Sequence, residues 1–291
     1  MHLIVLAVGF GLVTASVLAL ASVGLTLQFG VTNYVNFAFG EFLTVGAYLA
    51  WIANVQLHLS IWLAALIGAV GMGVVALILN RLILQPFVDR GSPLLYLLIV
   101  TFGLSLIMSN GVLAIWGPGF QHYAVPSSQA PLNLGAFLLT PTQLVIIAVA
   151  CVAMVGVHVL LTRTKLGKAM RAMSDNADLA RVSGIDTGRV TAFTWFLSGG
   201  LAGLAGVVLG LNITAIQPTF GGEILFVIFA AVILGGIGSP YGAMLGALVI
   251  GIVTEVSAVW LSSYKNDIAF AVLILVLLLR PNGLIRSVGK A

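Results

Sequence analysis

Long apolar stretches separated by short polar interruptions run through the whole chain. The hydrocarbon of a bilayer is about 30 Å thick, so a helix that crosses it needs about 20 mostly apolar residues. Measured against that length, the pattern predicts transmembrane helices over 4–29, 34–54, 60–80, 93–115, 142–161, 190–212, 222–237, 240–262 and 266–280. The first, fourth, sixth and eighth stand out most sharply, and the seventh and ninth are short. Nine crossings follow, or eight if 30–40 only dips into the bilayer. The expected fold class is all-α: a polytopic transmembrane helical bundle in which 1–291 forms a single membrane domain with no soluble domain attached.

Composition sharpens this picture. Of 291 residues, 60% are hydrophobic and 7% are charged, against about 25% charged in soluble domains. The formal charge of +4 comes without a basic run among aromatics, which argues against nucleic acid as a partner. The basic residues read instead as topology signals. Six of the twelve lie in 162–189 (Arg163, Lys165, Lys168, Arg171, Arg181, Arg189), Arg81 and Arg90 lie in 81–92, and Arg280, Arg286 and Lys290 are close to the end. The segment 116–141 has none. The positive-inside rule then puts 81–92, 162–189 and the C-terminus in the cytoplasm, with 116–141 and Met1 outside. No Lys or Arg precedes the first apolar run, so that run is expected to stay as a span rather than to act as a signal peptide. Cys151, the single cysteine, lies in an apolar stretch and excludes intramolecular disulfides.

Three carboxylates interrupt apolar segments: Glu41, Glu223 and Glu255. A charge at the bilayer centre costs about 2.5–3.5 kcal/mol even on lenient scales, so each calls for a reason. Glu41 follows Asn33, Asn36 and Phe39-Gly40; Glu223 follows Asn212, Pro218 and Phe220-Gly221-Gly222. In both places a long helix is followed by a polar break and then by a glutamate at a new helix start. A first-turn carboxylate that complements the helix dipole explains this structurally. An inverted repeat with broken helices explains it as transporter architecture, because the predicted topology runs 4–29 inward and 190–212 outward. Asn36, Phe39, Glu41, Glu223 and Glu255 are thus candidates for a translocation path, although Glu255 also suits a bond to a neighbouring helix. The spacing of Gly199, Gly203, Gly206 and Gly210, and of Gly238, Gly242 and Gly246, fits close helix packing in lipid.

The loop 162–189 is the most informative region. Ser174 or Asp175 is placed to cap a short helix that begins near Asn176, and Gly184 to end it in a left-handed conformation. Leu179 and Val182 then recur on one face beside Ala177, Ala180 and Arg181. From the residues alone this is either a docking surface or a solvated inner loop. His2, His58, His122 and His158 match no metal-ligand spacing. There is no G-x-x-x-x-G-K-[ST] phosphate loop, so ATP hydrolysis by this chain is not expected, and no cofactor, metal or catalysis is predicted.

Three stretches carry a family resemblance: Val35-Asn36-Phe37-Ala38-Phe39-Gly40-Glu41, Asp175 to Asp186, and Gly235-Gly236-Ile237-Gly238-Ser239-Pro240 with Gly242. Over nearly its whole length the chain resembles the branched-chain amino acid ABC transporter permeases. That family usually reads Asn-Phe-Ala-His-Gly-Glu in the first stretch, and Phe39 stands where the histidine is usual. The resemblance implies a bacterial inner-membrane importer subunit paired with a second, related permease. It also implies two cytoplasmic ATPase subunits that hydrolyse the ATP, and a periplasmic binding protein that delivers the substrate. The 162–189 loop would hold the ATPase-coupling helix, with Arg171, Ser174, Asp175, Asn176, Asp178, Leu179, Ala180, Arg181, Gly184, Ile185 and Asp186 as its coupling residues. Alternatives are the same scaffold moving urea or short amides, or an ion-coupled secondary transporter that uses Glu41, Glu223 and Glu255.

Overall fold

In the computed structural model the described residues are 2–125, 130–133, 137–280 and 283–285; Met1, Arg286 and Lys290, used above for orientation, lie outside them. Helices dominate: α1 (His2–Thr32), α2 (Phe39–Trp51), α3 (Ile61–Leu79), α4 (Gln85–Asp89), α5 (Leu94–Trp116), α6 (Pro141–Arg163), α7 (Lys165–Asp175), α8 (Ala177–Val182), α9 (Thr187–Ile213), α10 (Phe220–Gly235), α11 (Pro240–Leu261) and α12 (Lys265–Leu279). The one sheet among the described residues is a two-residue pairing of Leu132–Asn133 with Leu138–Leu139. Six helical runs are long and apolar enough to cross a membrane: Leu3–Thr32, Ile61–Asp89, Leu94–Trp116, Pro141–Arg163, Thr187–Ile213 and Pro240–Leu279.

Two ends of the bundle can be told apart. Near its start α1 meets the 116–141 segment, where a Cβ on Gly9 would lie 2.9 Å from the Phe137 ring. Near its finish it meets the basic loop, where a Cβ on Gly30 would lie 3.2 Å from Ser174 Oγ. Helix α9 runs the other way. It leaves the basic loop at Thr187 and finishes where Gln121 and Ile216 exchange backbone hydrogen bonds of 2.9 and 2.8 Å. The two helices are antiparallel and form the centre of the molecule, with α1 packed most extensively on α11 and α9 on α3.

Glycine explains how α9 becomes the most enclosed of the long helices. A Cβ on Gly203 would lie 2.7 Å from the Gly68 carbonyl, and Gly199 presses on Ala76; both contacts are with α3. Gly206 abuts the Leu43 carbonyl of α2, and Gly210 lies against Ile216 and Tyr123. Without side chains on that face the backbones approach to van der Waals contact, which holds helices together where lipid supplies no hydrophobic drive. Gly242 and Gly246 do the same against Gly235 and Ala231 of α10. Gly238 differs from the expectation: it precedes α11, in a turn at φ +88° that suits glycine.

Several boundaries also differ. The predicted 34–54 span begins only at Phe39, because Asn33 takes a left-handed conformation (φ +58°) and ends α1. The expected 81–92 loop is largely helical. A π turn over Asn80–Leu84 carries α3 into α4, with Pro86 in the first turn of the new segment, where its missing N–H costs nothing. The run 240–279 is a hairpin. It breaks at Leu261 (φ −137°, ψ 65°) and the 3₁₀ turn Ser262–Tyr264, and the amides of Leu284 and Ile285 bond back to the carbonyls of Leu234 and Gly235. The outer faces of α5, α6 and α12 expose Ile107, Ile115, Val152, Val155, Leu278 and Leu279, as lipid-facing helices do.

Candidate functional site

The two breaks that follow α1 and α9 are built alike. Each long helix stops at a left-handed residue other than glycine, Asn33 (φ +58°) or Thr214 (φ +60°), and a short helix starts six residues later. The starts of α2 and α10 meet each other inside the bundle: a Cβ on Gly40 would lie 2.7 Å from the Gly221 carbonyl, and Gly221 presses back on Gly40. The meeting point is well below the end of α1. The Phe39 ring lies against Gly24, eight residues or about 12 Å before Thr32 at 1.5 Å per residue.

Glu41 belongs to this junction. It is 3% exposed, and its carboxylate accepts from Thr44 Oγ1 at 3.2 Å and from Ser105 Oγ of α5 at 3.5 Å. Thr44 Oγ1 in turn accepts the Gly221 amide at 3.2 Å. A Cβ on Gly222 would lie 3.0 Å from Glu41 Oε1, so the carboxylate touches the first turns of both half-helices. Free amides and positive dipole ends gather there, and an anion suits them. Asn36 and Phe39, the other candidates in this stretch, are fully buried. Asn36 Oδ1 accepts the Ala38 amide at 2.9 Å and shapes the break, while Phe39 packs on Phe42 with ring centroids 5.8 Å apart. Neither lines an open cavity in this conformation.

Glu223 occupies the equivalent first turn of α10, yet it is exposed. Its Oε1 accepts from Gln217 Nε2 and Thr219 Oγ1, each at 3.0 Å. Half-buried Glu255 accepts from Thr14 Oγ1 at 3.0 Å. The structure brings these two carboxylates together in one cavity of about 390 Å³ between α1, α9, α10 and α11, and leaves Glu41 out of it. Phe120, Ala215 and Lys265 also line it, so it opens at the end of the bundle opposite the basic loop. Sequence reasoning missed Thr14 and Lys265. Lys265-Asn266-Asp267 is a polar cluster amid apolar residues, which was a usable signal; a threonine inside an apolar helix gives none.

At the other end the basic loop folds into two helices. Thr164 caps α7 by accepting the Gly167 amide at 2.9 Å, and Met170 and Met173 anchor α7 to the bundle. Asn176, rather than Ser174 or Asp175, caps α8: it is extended (φ −159°, ψ 106°) and its Oδ1 accepts the Leu179 amide at 2.9 Å, whereas Ser174 and Asp175 still belong to α7. Gly184 closes α8 at φ +84° as expected. Asp186 then caps α9 through the Arg189 amide (3.1 Å) and pairs with the Arg189 guanidinium (2.9 Å). Of the predicted docking face, Leu179 (62% exposed) and Val182 (81%) point outward beside exposed Arg171, Asp175, Asp178 and Arg181. Ala180 is 3% exposed and faces inward, and its carbonyl accepts the Ile185 amide. It supports the helix and is not part of the outward surface.

Two of the histidines make local contacts. His122 donates to the Thr214 carbonyl (2.7 Å), and His158 bonds the Tyr241 hydroxyl (2.8 Å). No cluster of three metal-binding side chains occurs among the described residues.

Residues 7–278 match the family described as branched-chain amino acid transport system / permease component. The high-affinity branched-chain amino acid transport system permease protein LivH of Escherichia coli is 33% identical, over 94% of this chain and 93% of its own length. BraD of Pseudomonas aeruginosa, a permease protein of the same kind of system, is 31% identical over the same shares. The ribose import permease protein RbsC of E. coli is 28% identical, over 92% of this chain and 83% of its own. No solved structure matches.

Proposed function

This chain belongs to the branched-chain amino acid transport system permease family, and from that membership we propose that it is the membrane subunit of an ABC importer for branched-chain amino acids. It acts in the bacterial inner membrane. A second, related permease completes the pore, two cytoplasmic ATPase subunits supply the energy, and a periplasmic protein delivers the substrate.

The observation that carries the energy-coupling part is α8. A capped six-residue helix leaves Leu179 and Val182 open to water at the basic end, ringed by charge. An apolar pair held outside any membrane-length helix and ringed by charge suits contact with a partner protein surface. Arg171, Ser174, Asp175, Asn176, Asp178, Arg181, Gly184, Ile185 and Asp186 form or shape that surface, and Ala180 braces it from within. ATP-driven closure of the ATPases would shift α7 and α8, and with them the lower end of α1.

The bundle reads as an inverted repeat, α1–α2–α3 against α9–α10–α11. The antiparallel course of α1 and α9, the matched breaks and the mutual Gly40–Gly221 contact support it. Half-helices that meet at mid-depth are a recurrent transporter device. With α2 and α10 each counted as a membrane segment and 240–279 counted twice, nine segments result, with the N-terminus outside and the C-terminus in the cytoplasm. Glu223 and Glu255 then belong to the path for substrate, while Glu41, with Asn36 and Phe39, holds the junction.

Co-expression with the two ATPases and the binding protein, purification and reconstitution test this reading. ATP-dependent leucine uptake into liposomes is expected, with no uptake by the chain alone. Uptake by the isolated chain on an ion gradient would instead establish a secondary carrier. Similarity to a ribose permease makes ribose and short amides the natural competitors in the same assay.

A further inference from the structure

Glu223 and Glu255 line one cavity at membrane depth, yet neither is matched by a cation. Among the described residues the single ion pair joins Arg189 to Asp186, far off at the basic loop. Glu223 has only the neutral donors Gln217 and Thr219, and Glu255 only Thr14. Lys265 lines the same cavity without pairing with either carboxylate. Glu223 is exposed and Glu255 half-buried, so both carboxylates stay open to a cationic ligand, whereas Glu41 is sealed in its junction.

The rest of the lining mixes polar side chains such as Asn212, Gln217 and Asn266 with apolar ones, of which Ile213 of α9 and Ile224 of α10 are accessible. A cavity of about 390 Å³ lies within the range that encloses small organic ligands, which is about 300–1,000 Å³.

From this geometry we infer that the cavity is a transient substrate subsite, in which Glu223 and Glu255 receive the α-ammonium group and Ile213 and Ile224 receive a branched aliphatic side chain. Lys265, at the mouth, faces the substrate carboxylate. The inference rests on the importer reading for its substrate class, but the site itself is defined by its charges and shape. Charge-assisted hydrogen bonds are about twice as strong as neutral ones, so the ammonium supplies most of the recognition.

Equilibrium binding to the purified full chain in lipid nanodiscs decides the matter separately from transport. Leucine and isoamylamine, which lacks the carboxylate, are expected to bind, and 4-methylpentanoate, which lacks the ammonium, is not. E223Q and E255Q should each weaken leucine binding about tenfold or more. Thermal unfolding shows whether each variant is folded, and I213W, which crowds an exposed wall residue without replacing a charge, gives an independent loss of binding. Equal binding of 4-methylpentanoate and isoamylamine, or leucine binding unchanged in E223Q, E255Q and I213W, overturns the subsite. Should the complete assembly fail to import leucine while the chain still binds it through these glutamates, the importer reading falls and the subsite stands.

Discussion

Glu41 and Glu223 both lie in the first turn of a short helix, one residue out of register with each other, so a single double-mutant cycle on each tests whether they have different jobs. At Glu41 the cycle uses E41Q, T44V and the pair. Thr44 donates to the carboxylate at 3.2 Å inside the junction, where both residues are buried. A hydrogen bond to a charged group contributes about 1.5–3 kcal/mol, and the low-dielectric surroundings favour the upper part of that range. T44V also removes the acceptor of the Gly221 amide, but that loss is common to the single and double variants and cancels in the coupling term. For domains of 150–250 residues 1 kcal/mol corresponds to about 2–4 °C in Tm, so the non-additivity should reach about 4–10 °C.

The assay is thermal unfolding of the purified chain in detergent, followed by loss of the monodisperse peak on size exclusion. The companion cycle E223Q/T219V removes a bond of similar length, 3.0 Å, on an exposed side chain. Water replaces that bond readily, so its coupling should stay below about 1 kcal/mol. Additive effects at Glu41 and Thr44, or a coupling at Glu223 as large as at Glu41, would refute the division into a junction carboxylate and a free one.

Other consequences follow from the same contacts. V182D places a charge on the most exposed apolar residue of α8 and should cut ATPase association at least tenfold in a pull-down, on the basis of about 1.5–3 kcal/mol for a buried valine, while leaving Tm unchanged. A180R should instead lower expression and Tm, because Ala180 faces the bundle. N176A removes the α8 cap; a loss of about 1 kcal/mol predicts roughly fivefold faster amide exchange over 177–182 by mass spectrometry. G206V drives a side chain into the Leu43 carbonyl and should lower Tm sharply, since overpacking costs about 1–3 kcal/mol or more, whereas G103A, with open space around it, should be neutral.

Much of the fold could be read because lipid imposes a simple rule: apolar stretches of sufficient length become helices. The long helices α1, α5, α6 and α9 appear within a few residues of their predicted bounds. The failures occur where that rule is silent. Tyr34-Val35-Asn36-Phe37 is apolar enough to join a span, and only the left-handed Asn33 and the Asn36 turn exclude it. Arg81 and Arg90 suggest a loop, but Leu82-Ile83-Leu84 continue the helix between them. Local propensity allows Ser174, Asp175 or Asn176 to cap α8, and the choice is made by where α7 ends: its buried Met170 and Met173 hold it to the bundle through Asp175, so Asn176 is the first extended residue. The three glutamates were visible as anomalies, but their grouping was not. That Glu223 shares a cavity with Glu255 and that Glu41 is sealed off depends on how α10 lies against α1, α9 and α11.

That grouping bears on how a near-symmetric scaffold can work in one direction. On the proposed inverted repeat, two units with identical starts would offer a carboxylate to each side of the membrane, but the starts differ, Phe39-Gly40-Glu41 against Phe220-Gly221-Gly222-Glu223. Here one member is closed off by Ser105 of α5 and Thr44, and α5 lies between the two units in sequence with no counterpart in the pairing of α1–α3 with α9–α11. The other member remains open toward the side where 116–141 lies. A substrate entering from that side meets Glu223 and Glu255 first, and passage inward requires the Gly40–Gly221 junction beyond them to part. Because Glu41 bonds Thr44 and Thr44 bonds the Gly221 amide, parting the junction breaks the network that holds the inner half-helix. Tethering Phe37→Cys to Phe229→Cys, whose ring centroids lie 5.6 Å apart beside the junction, with a short bifunctional thiol reagent in a Cys151→Ser background should therefore abolish uptake by the complete assembly while leucine binding from the outer side persists. Uptake that survives the cross-link would show that substrate takes another route.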